Sequence, residues 1–194
     1  MFGFLKGKVD YEKIFSSADE THRYIYGDRS KTVEILGNEA FIESWLSSRN
    51  VGIVTTVIRN EATRGDAPSL KQMIWVTDLY FRDTENLTRD KNEQFKLKVE
   101  FLKDRIMFCE KAIDIGLKGQ SYAAMVSCAN LYAILAPLQK DFKDTSTVNA
   151  LNGIIKHARI FIETGYNDPE MIGDAKELLK QYTPIAQLTN SMNQ

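Results

Sequence analysis

The chain has 194 residues, 43% of them apolar and 26% charged, with a formal net charge of -1. That length and mix fit one substantial globular domain or two small ones. The near-neutral balance argues against a strongly basic nucleic-acid binder or an acidic tail, though not against a local charged patch, and only two histidines, His22 and His157, leave most metal and acid–base designs short of ligands.

No run approaches eighteen continuous apolar residues, so no membrane span is expected. Met1-Phe2-Gly3-Phe4-Leu5-Lys6 lacks the long apolar region and small-residue cleavage site of a secretory signal. The two cysteines, Cys109 and Cys128, sit in apolar helical patterns, which reads as buried thiols in a reducing compartment. The cytoplasm is the expected location.

Residues 1–9 mix Phe2 and Phe4 with lysines and glycines, and read as a flexible or docking arm. Asp10 to Phe15 reads as a short helical turn. Ser16 or Ser17 then caps a helix toward Tyr26, with Glu20 near its first turn. Gly27-Asp28-Arg29-Ser30 punctuates the chain. Thr32-Val33-Glu34-Ile35-Leu36 is β-branched enough for a small strand. Asn38 caps the next segment, where Phe41, Ile42, Trp45 and Leu46 form an amphipathic stripe.

Val51 to Ile58 and Met73 to Phe81 fit a helix face but are also rich in β-branched and aromatic residues. Helices are expected, because Arg59 to Arg64 continues the first run and Ser69 to Gln72 opens the second without a turn signal. The alternative is a small α+β N-terminal unit before a helical C-terminal domain. Asp83 to Asn92 is polar and reads as a loop or a fraying helix extension.

The chain is organised around Gln94–Leu117. Phe95, Val99, Leu102, Ile106, Cys109 and Ile113 recur at steps of four and three, which places them on one helix face. Gln120 to Leu138 reads as a second helix whose alanines permit close packing. Lys140 to Thr147 reads as a polar linker. Val148 to Ile162 repeats the four-three spacing. Asp168 and Pro169 read as the N-cap and first position of a last helix, which carries Met171, Ala175, Leu178 and Tyr182 and ends near Pro184.

Three hairpins emerge, near 51–82, 95–138 and 148–183, with turns after Gly65, Gly116 and Gly165, spaced 51 and then 49 residues apart. Glycine closes one helix in a left-handed conformation and a polar segment starts the next. The expected fold is all-α, an irregular array or bundle of antiparallel helical hairpins. It spans 10–187 as one domain, or 10–85 and 93–187 as two, with 188–194 as a flexible tail. The last two hairpins, about 95–185, resemble tetratricopeptide-like helical repeats. That resemblance implies a helical solenoid that binds peptides or proteins in a concave groove; it covers half the chain, lacks the strict period and transfers no binding residue.

Asp19, His22, Arg23, Tyr26 and Arg29 make the densest polar–aromatic segment, suited to a small ligand, an anion or a partner carboxylate through paired arginines. Glu39, Glu43 and Glu61, and Asp78, Asp83 and Glu85, read as solvated helix faces. Arg64-Gly65-Asp66 matches an integrin-recognition tripeptide, but in this context it reads as a helix-breaking turn. His157 is the one candidate base for a cysteine nucleophile. Lys91, Lys96, Lys98, Lys103 and Arg105 interleave with acids and do not form an electrostatic stripe. No cofactor or metal motif is present. The functional expectation is a non-enzymatic interaction or assembly module that binds another protein or itself; the alternatives are a small-ligand binder or enzyme using the polar segment at residues 19–29, and, ranked below both, a nucleic-acid-associated protein. Trp45, Trp75, Tyr80 and Phe81 are its candidate contacts beside the polar segment.

Overall fold

The computed structural model describes residues 9–138 and 145–192. Among them every regular element is helical and no strand occurs. The chain divides into two compact units, Met1–Gln72 and Met73–Gln194. The division falls inside a helix rather than in the polar 83–92 stretch. The arm bearing Phe2 and Phe4 lies outside the described residues, except for Val9.

The first unit holds α1 (Tyr11–Ile14), α2 (Ala18–Tyr26), a 3₁₀ turn (Arg29–Lys31), α3 (Thr32–Leu36), α4 (Glu39–Ser47), α5 (Val51–Thr63) and the start of α6 (Ala67–Arg82). The caps lie where the sequence put them. Ser17 Oγ accepts the Glu20 N–H at 3.2 Å, and Asn38 Oδ1 accepts the Phe41 N–H at 3.0 Å.

Thr32–Leu36 is helical, against the small-strand expectation. Thr32 and Leu36, one helical turn apart, are buried while Glu34, which a strand would place on the same face, is exposed. The Thr32 hydroxyl also donates to the Ile25 carbonyl at 2.9 Å. Val51–Thr63 resolves the same ambiguity. Val54, Val57, Ile58, Glu61 and Ala62 are buried at helical spacing. The hydroxyls of Thr55 and Thr56 bond back to the carbonyls of Val51 and Gly52 at 2.8 and 2.7 Å, so β-branching is accommodated inside the helix. Around these helices lies an aromatic core. Phe15 and Phe41 pack edge-on at 5.6 Å and Phe41 meets Trp45 at 6.3 Å. Each such pair contributes roughly 0.5–1.5 kcal/mol beyond the area it buries.

The second unit takes the rest of α6, then α7 (Thr84–Leu87), α8 (Lys91–Asp114), a 3₁₀ turn (Lys118–Gln120), α9 (Ser121–Leu135), a 3₁₀ turn (Ala136–Leu138), α10 (Thr145–Glu163) and α11 (Pro169–Met192). Asp90 caps α8 by accepting the N–H groups of Asn92 and Glu93, so the helix starts ahead of Gln94. From α6 to α8, Asp78 reaches Arg105 and the Tyr80 ring packs at a tilt on Phe101. The partner number falls as the α6 number rises, so these two helices run antiparallel. Helix α9 packs on α8 and on α10, and α10 packs on α11. Leu102, Met125, Leu131, Leu151, Ile154, Ala158 and Phe161 form the shared core.

The expected face of α8 is only partly the buried one. Leu102 and Cys109 are fully buried with Phe108 and Ala112, whereas Phe95 is 39% exposed. Val99 and Ile106 pack against the core from its edge.

Gly65, Gly116 and Gly165 have φ of 92°, 93° and 68°. At Gly116 the Leu117 N–H reaches the Ala112 carbonyl and the Gly116 N–H reaches Ile113, the double closure of a Schellman motif; Gly65 and Asp66 repeat it. Asp168 Oδ1 accepts the N–H groups of Glu170 and Met171, which confirms it as the cap before Pro169.

Two expectations at the C-terminal side need correction. Pro184 lies inside α11, which continues to Met192. Ala186 and Thr189 are buried beyond the proline, and that packing outweighs one lost backbone hydrogen bond. Residues 188–192 are therefore helical rather than a loose tail; 193–194 lie outside the described residues, as do 140–144 of the expected linker, while Thr145–Thr147 already belong to α10. The stretch Lys118–Leu138 is long and apolar enough to cross a bilayer by composition alone. It carries α9, which buries seven side chains and packs on both α8 and α10.

Candidate functional site

The polar segment around residues 19–29 is completed by residues far away in sequence. His22 and Tyr26 stand one turn apart on α2, and Arg29 follows on the 3₁₀ turn. The end of α5 supplies Glu61 and Arg64. The Gly65 turn then supplies Asp66, and α6 supplies Ser69. Together His22, Arg29, Glu61, Arg64, Gly65 and Asp66 line a surface recess of about 560 Å³.

Glu61 is the hub. It is 3% exposed, a correction to its reading as part of a solvated face. Arg29 Nη2 donates to Oε2 at 2.7 Å, Arg64 Nη1 donates to Oε1 at 2.5 Å, and His22 Nε2 lies 3.4 Å from Oε1. Burial pushes the Glu61 carboxyl up, but the hydrogen bonds from Arg29 and Arg64 pull harder and hold it below the ordinary carboxylate value. The second guanidinium nitrogen of Arg29 donates to Asp66 Oδ1 at 3.2 Å.

Asp66 Oδ2 also accepts the Ser69 N–H at 3.1 Å and the Ser69 hydroxyl at 2.5 Å. The serine proton is thus spent on a carboxylate, so the Tyr26 O–H donates to Ser69 Oγ across 2.7 Å. Burial drives the Tyr26 phenol far above its ordinary value, so it stays protonated. Arg29 lies 4.8 Å over the Tyr26 ring, and the His22 ring is 5.1 Å from it.

The sequence-predicted residues therefore separate. His22, Tyr26 and Arg29 come together. Arg23 faces solvent and pairs with Glu20 at 3.0 Å. Asp19 is exposed on α2, outside this network. The two arginines are balanced by the two carboxylates Glu61 and Asp66, so the cluster binds its own carboxylates where a free anion receptor would need bare cations. Arg64-Gly65-Asp66 is a turn whose two charged side chains point into this network. Sequence reasoning missed Glu61, Arg64, Asp66 and Ser69 as members. The readable signal was Asp66 as a cap three residues before Ser69.

The aromatic candidates also separate. Trp45 is fully buried and its Nε1–H donates to Thr55 Oγ1 at 3.1 Å, so it belongs to the core. Phe81 is half-buried against the core of the second unit. Tyr80 is half-buried and packs on Phe101 with ring centres 5.5 Å apart and planes inclined by 39°. Trp75 is 43% exposed.

The cysteine–histidine idea can be tested directly. Burial pushes both thiols up to about 12, for Cys109 and for Cys128, which leaves almost no thiolate at neutral pH. His157 is 1% exposed, and burial holds its pKa down, with Lys156 adding to the effect. Its Nε2 lies 3.3 Å from Glu110 Oε1. A neutral imidazole beside a carboxylate carries its proton on that nitrogen. Nδ1 is then a lone pair, buried and without a partner. The pair is poorly suited to nucleophilic chemistry.

Among the described residues no group of three or more His, Cys, Asp or Glu side chains is placed to hold a metal ion. Comparisons with protein-family models, with curated proteins and with solved structures each found no match.

Proposed function

We propose that the chain is a non-enzymatic protein-interaction or assembly module and that the Trp75 surface of the second unit carries the contact. The observation behind this reading is that Trp75 is 43% exposed on α6 while Leu87 on α7 and Phe95 on α8 are 48% and 39% exposed in the same unit. A large aromatic with 43% of its surface in water forfeits a corresponding part of its burial energy, which is about 1.5–3 kcal/mol for a fully buried large apolar side chain. Tryptophan is also enriched at the centres of protein interfaces. The likeness of 95–185 to tetratricopeptide-like hairpins belongs to the same reading, since stacked hairpins present an extended concave surface to a partner.

The rivals lose their instruments. A pocket enzyme or ligand binder at residues 19–29 would need the guanidiniums that Glu61 and Asp66 occupy. A nucleic-acid surface on α8 would lose two of its cations to acids, Arg105 to Asp78 and Lys98 to Glu85. Two buried free thiols are compatible with a reducing compartment such as the cytoplasm. The packing of α9 on two neighbours favours a core helix over a membrane span.

Light scattering of the purified chain after size exclusion tests the proposal, followed by capture from native lysate. The expected result is a stable oligomer or a stoichiometric protein partner, weakened in Trp75→Glu. A monomer that captures nothing, and instead binds a metabolite with an affinity lost in His22→Ala and Arg29→Ala, overturns it.

A further inference from the structure

Where α8, α9 and α10 meet in the second unit there is a cleft of about 510 Å³. Such a volume lies in the range of small-molecule sites, roughly 300–1,000 Å³. It is distinct from the Trp75 surface and from the polar cluster of the first unit. Its floor is apolar, with Ile106 from α8 and Leu131 from α9. Its rim is polar, with Asn149 from α10 beside Lys103 and Lys156.

The charges do not cancel. Among the described residues Glu110 is the one carboxylate in the lining. It already accepts from Lys156 Nζ at 2.8 Å and lies 3.3 Å from His157 Nε2. Lys103 is exposed and has no ion-pair partner among the described residues. One cation is therefore left over above an apolar floor, with a side-chain amide close by to donate hydrogen bonds. That combination matches an anion with a hydrocarbon body. A cationic ligand would meet Lys103 and Lys156 against a carboxylate that is already engaged.

We propose that this cleft binds a small amphipathic monocarboxylate, its apolar body against Ile106 and Leu131 and its carboxylate at Lys103 and Asn149. Carboxylate–ammonium hydrogen bonds are charge-assisted and stronger than neutral ones. The apolar body adds affinity with each buried methylene.

The chain offers its own reporters. Of its two histidines, His157 lines the cleft and His22 belongs to the other unit. The imidazole Cε1–H resonances of the full chain are followed by NMR while octanoate is added, with octanol and octylammonium as charge controls. Octanoate is expected to shift His157 saturably and leave His22 in place, and octylammonium to bind far more weakly. Lys103→Glu, at an exposed position, is expected to weaken octanoate about tenfold or more and leave octanol unchanged. Asn149→Trp, which fills the rim, is expected to abolish binding of octanoate and octanol together. The proposal fails if octanoate up to its solubility moves neither histidine or moves both alike. It also fails if octylammonium binds as well as octanoate, or if Lys103→Glu leaves octanoate affinity unchanged.

Discussion

Gly153 on α10 allows the closest test of the second unit's packing. A Cβ built at Gly153 would lie 2.6 Å from Cys128 Sγ and 3.5 Å from Cys128 Cβ. The first distance is about an ångström inside ordinary contact and the second is ordinary contact. Two terms then compete in Gly153→Ala. Alanine gains about 0.8–1.0 kcal/mol of helix propensity over glycine. Forcing a methyl into a closed helix–helix contact costs about 1–3 kcal/mol. The net expectation is a loss of up to about 2 kcal/mol in the presence of Cys128. Removing the sulfur in Cys128→Ala eliminates the clash, so in that background Gly153→Ala should stabilise by about 1 kcal/mol. The coupling is thus about 1–3 kcal/mol, read from urea melts of the two single variants and the double variant. If Gly153→Ala has the same sign and size in both backgrounds, α9 and α10 do not approach as described.

Glu61→Gln should cost about 1–2 kcal/mol, at the low end for a buried carboxylate because Arg29 and Arg64 are mostly exposed and rehydrate. The Glu61 carboxyl titrates lower folded than unfolded, so its stabilisation is complete above the ordinary carboxylate value and disappears as pH falls through the folded one. Stability measured across the acid range should therefore fall less steeply in the variant. On α8, Leu102→Ala should cost about 2–5 kcal/mol and Leu102→Asp more, while half-buried Ile106→Ala should cost less than Leu102→Ala in the same denaturant series. Cys109 and Cys128, with thiols raised to about 12, should react with a disulfide reagent at mildly alkaline pH only as fast as the protein opens, and at full rate in denaturant.

Local signals carried much of the fold. The Gly65, Gly116 and Gly165 turns were legible because each follows an apolar-periodic run and precedes a polar restart, and all three adopt the positive φ this implies. Caps at Ser17, Asn38 and Asp168 were legible for the same local reason. Thr32–Leu36 was ambiguous because five residues, four of them β-branched or aliphatic, carry little periodicity. The deciding hydrogen bond, Thr32 to Ile25, joins separate helices. Pro184 pointed to an end because a sequence shows a proline's local cost but not the burial of Ala186 and Thr189 beyond it.

The candidate site was half legible. His22, Tyr26 and Arg29 lie close together in sequence and were found; Glu61, the residue that consumes their charge, is 32 positions from Arg29. Nothing local marks a glutamate as buried. Trp45 and Trp75 show the same limit. Both sit in amphipathic runs, yet one is fully buried and the other 43% exposed.

That contrast supplies the most direct measurement. The chain has two tryptophans, so subtracting the acrylamide quenching of Trp75→Phe from that of the unaltered chain isolates Trp75. An interaction module contacted through this surface predicts that Trp75 is readily quenched in dilute protein. It then becomes shielded as self-association proceeds or as a purified partner is added, while Trp45 stays unquenched throughout. Association that leaves Trp75 as quenchable as in dilute protein would contradict the account.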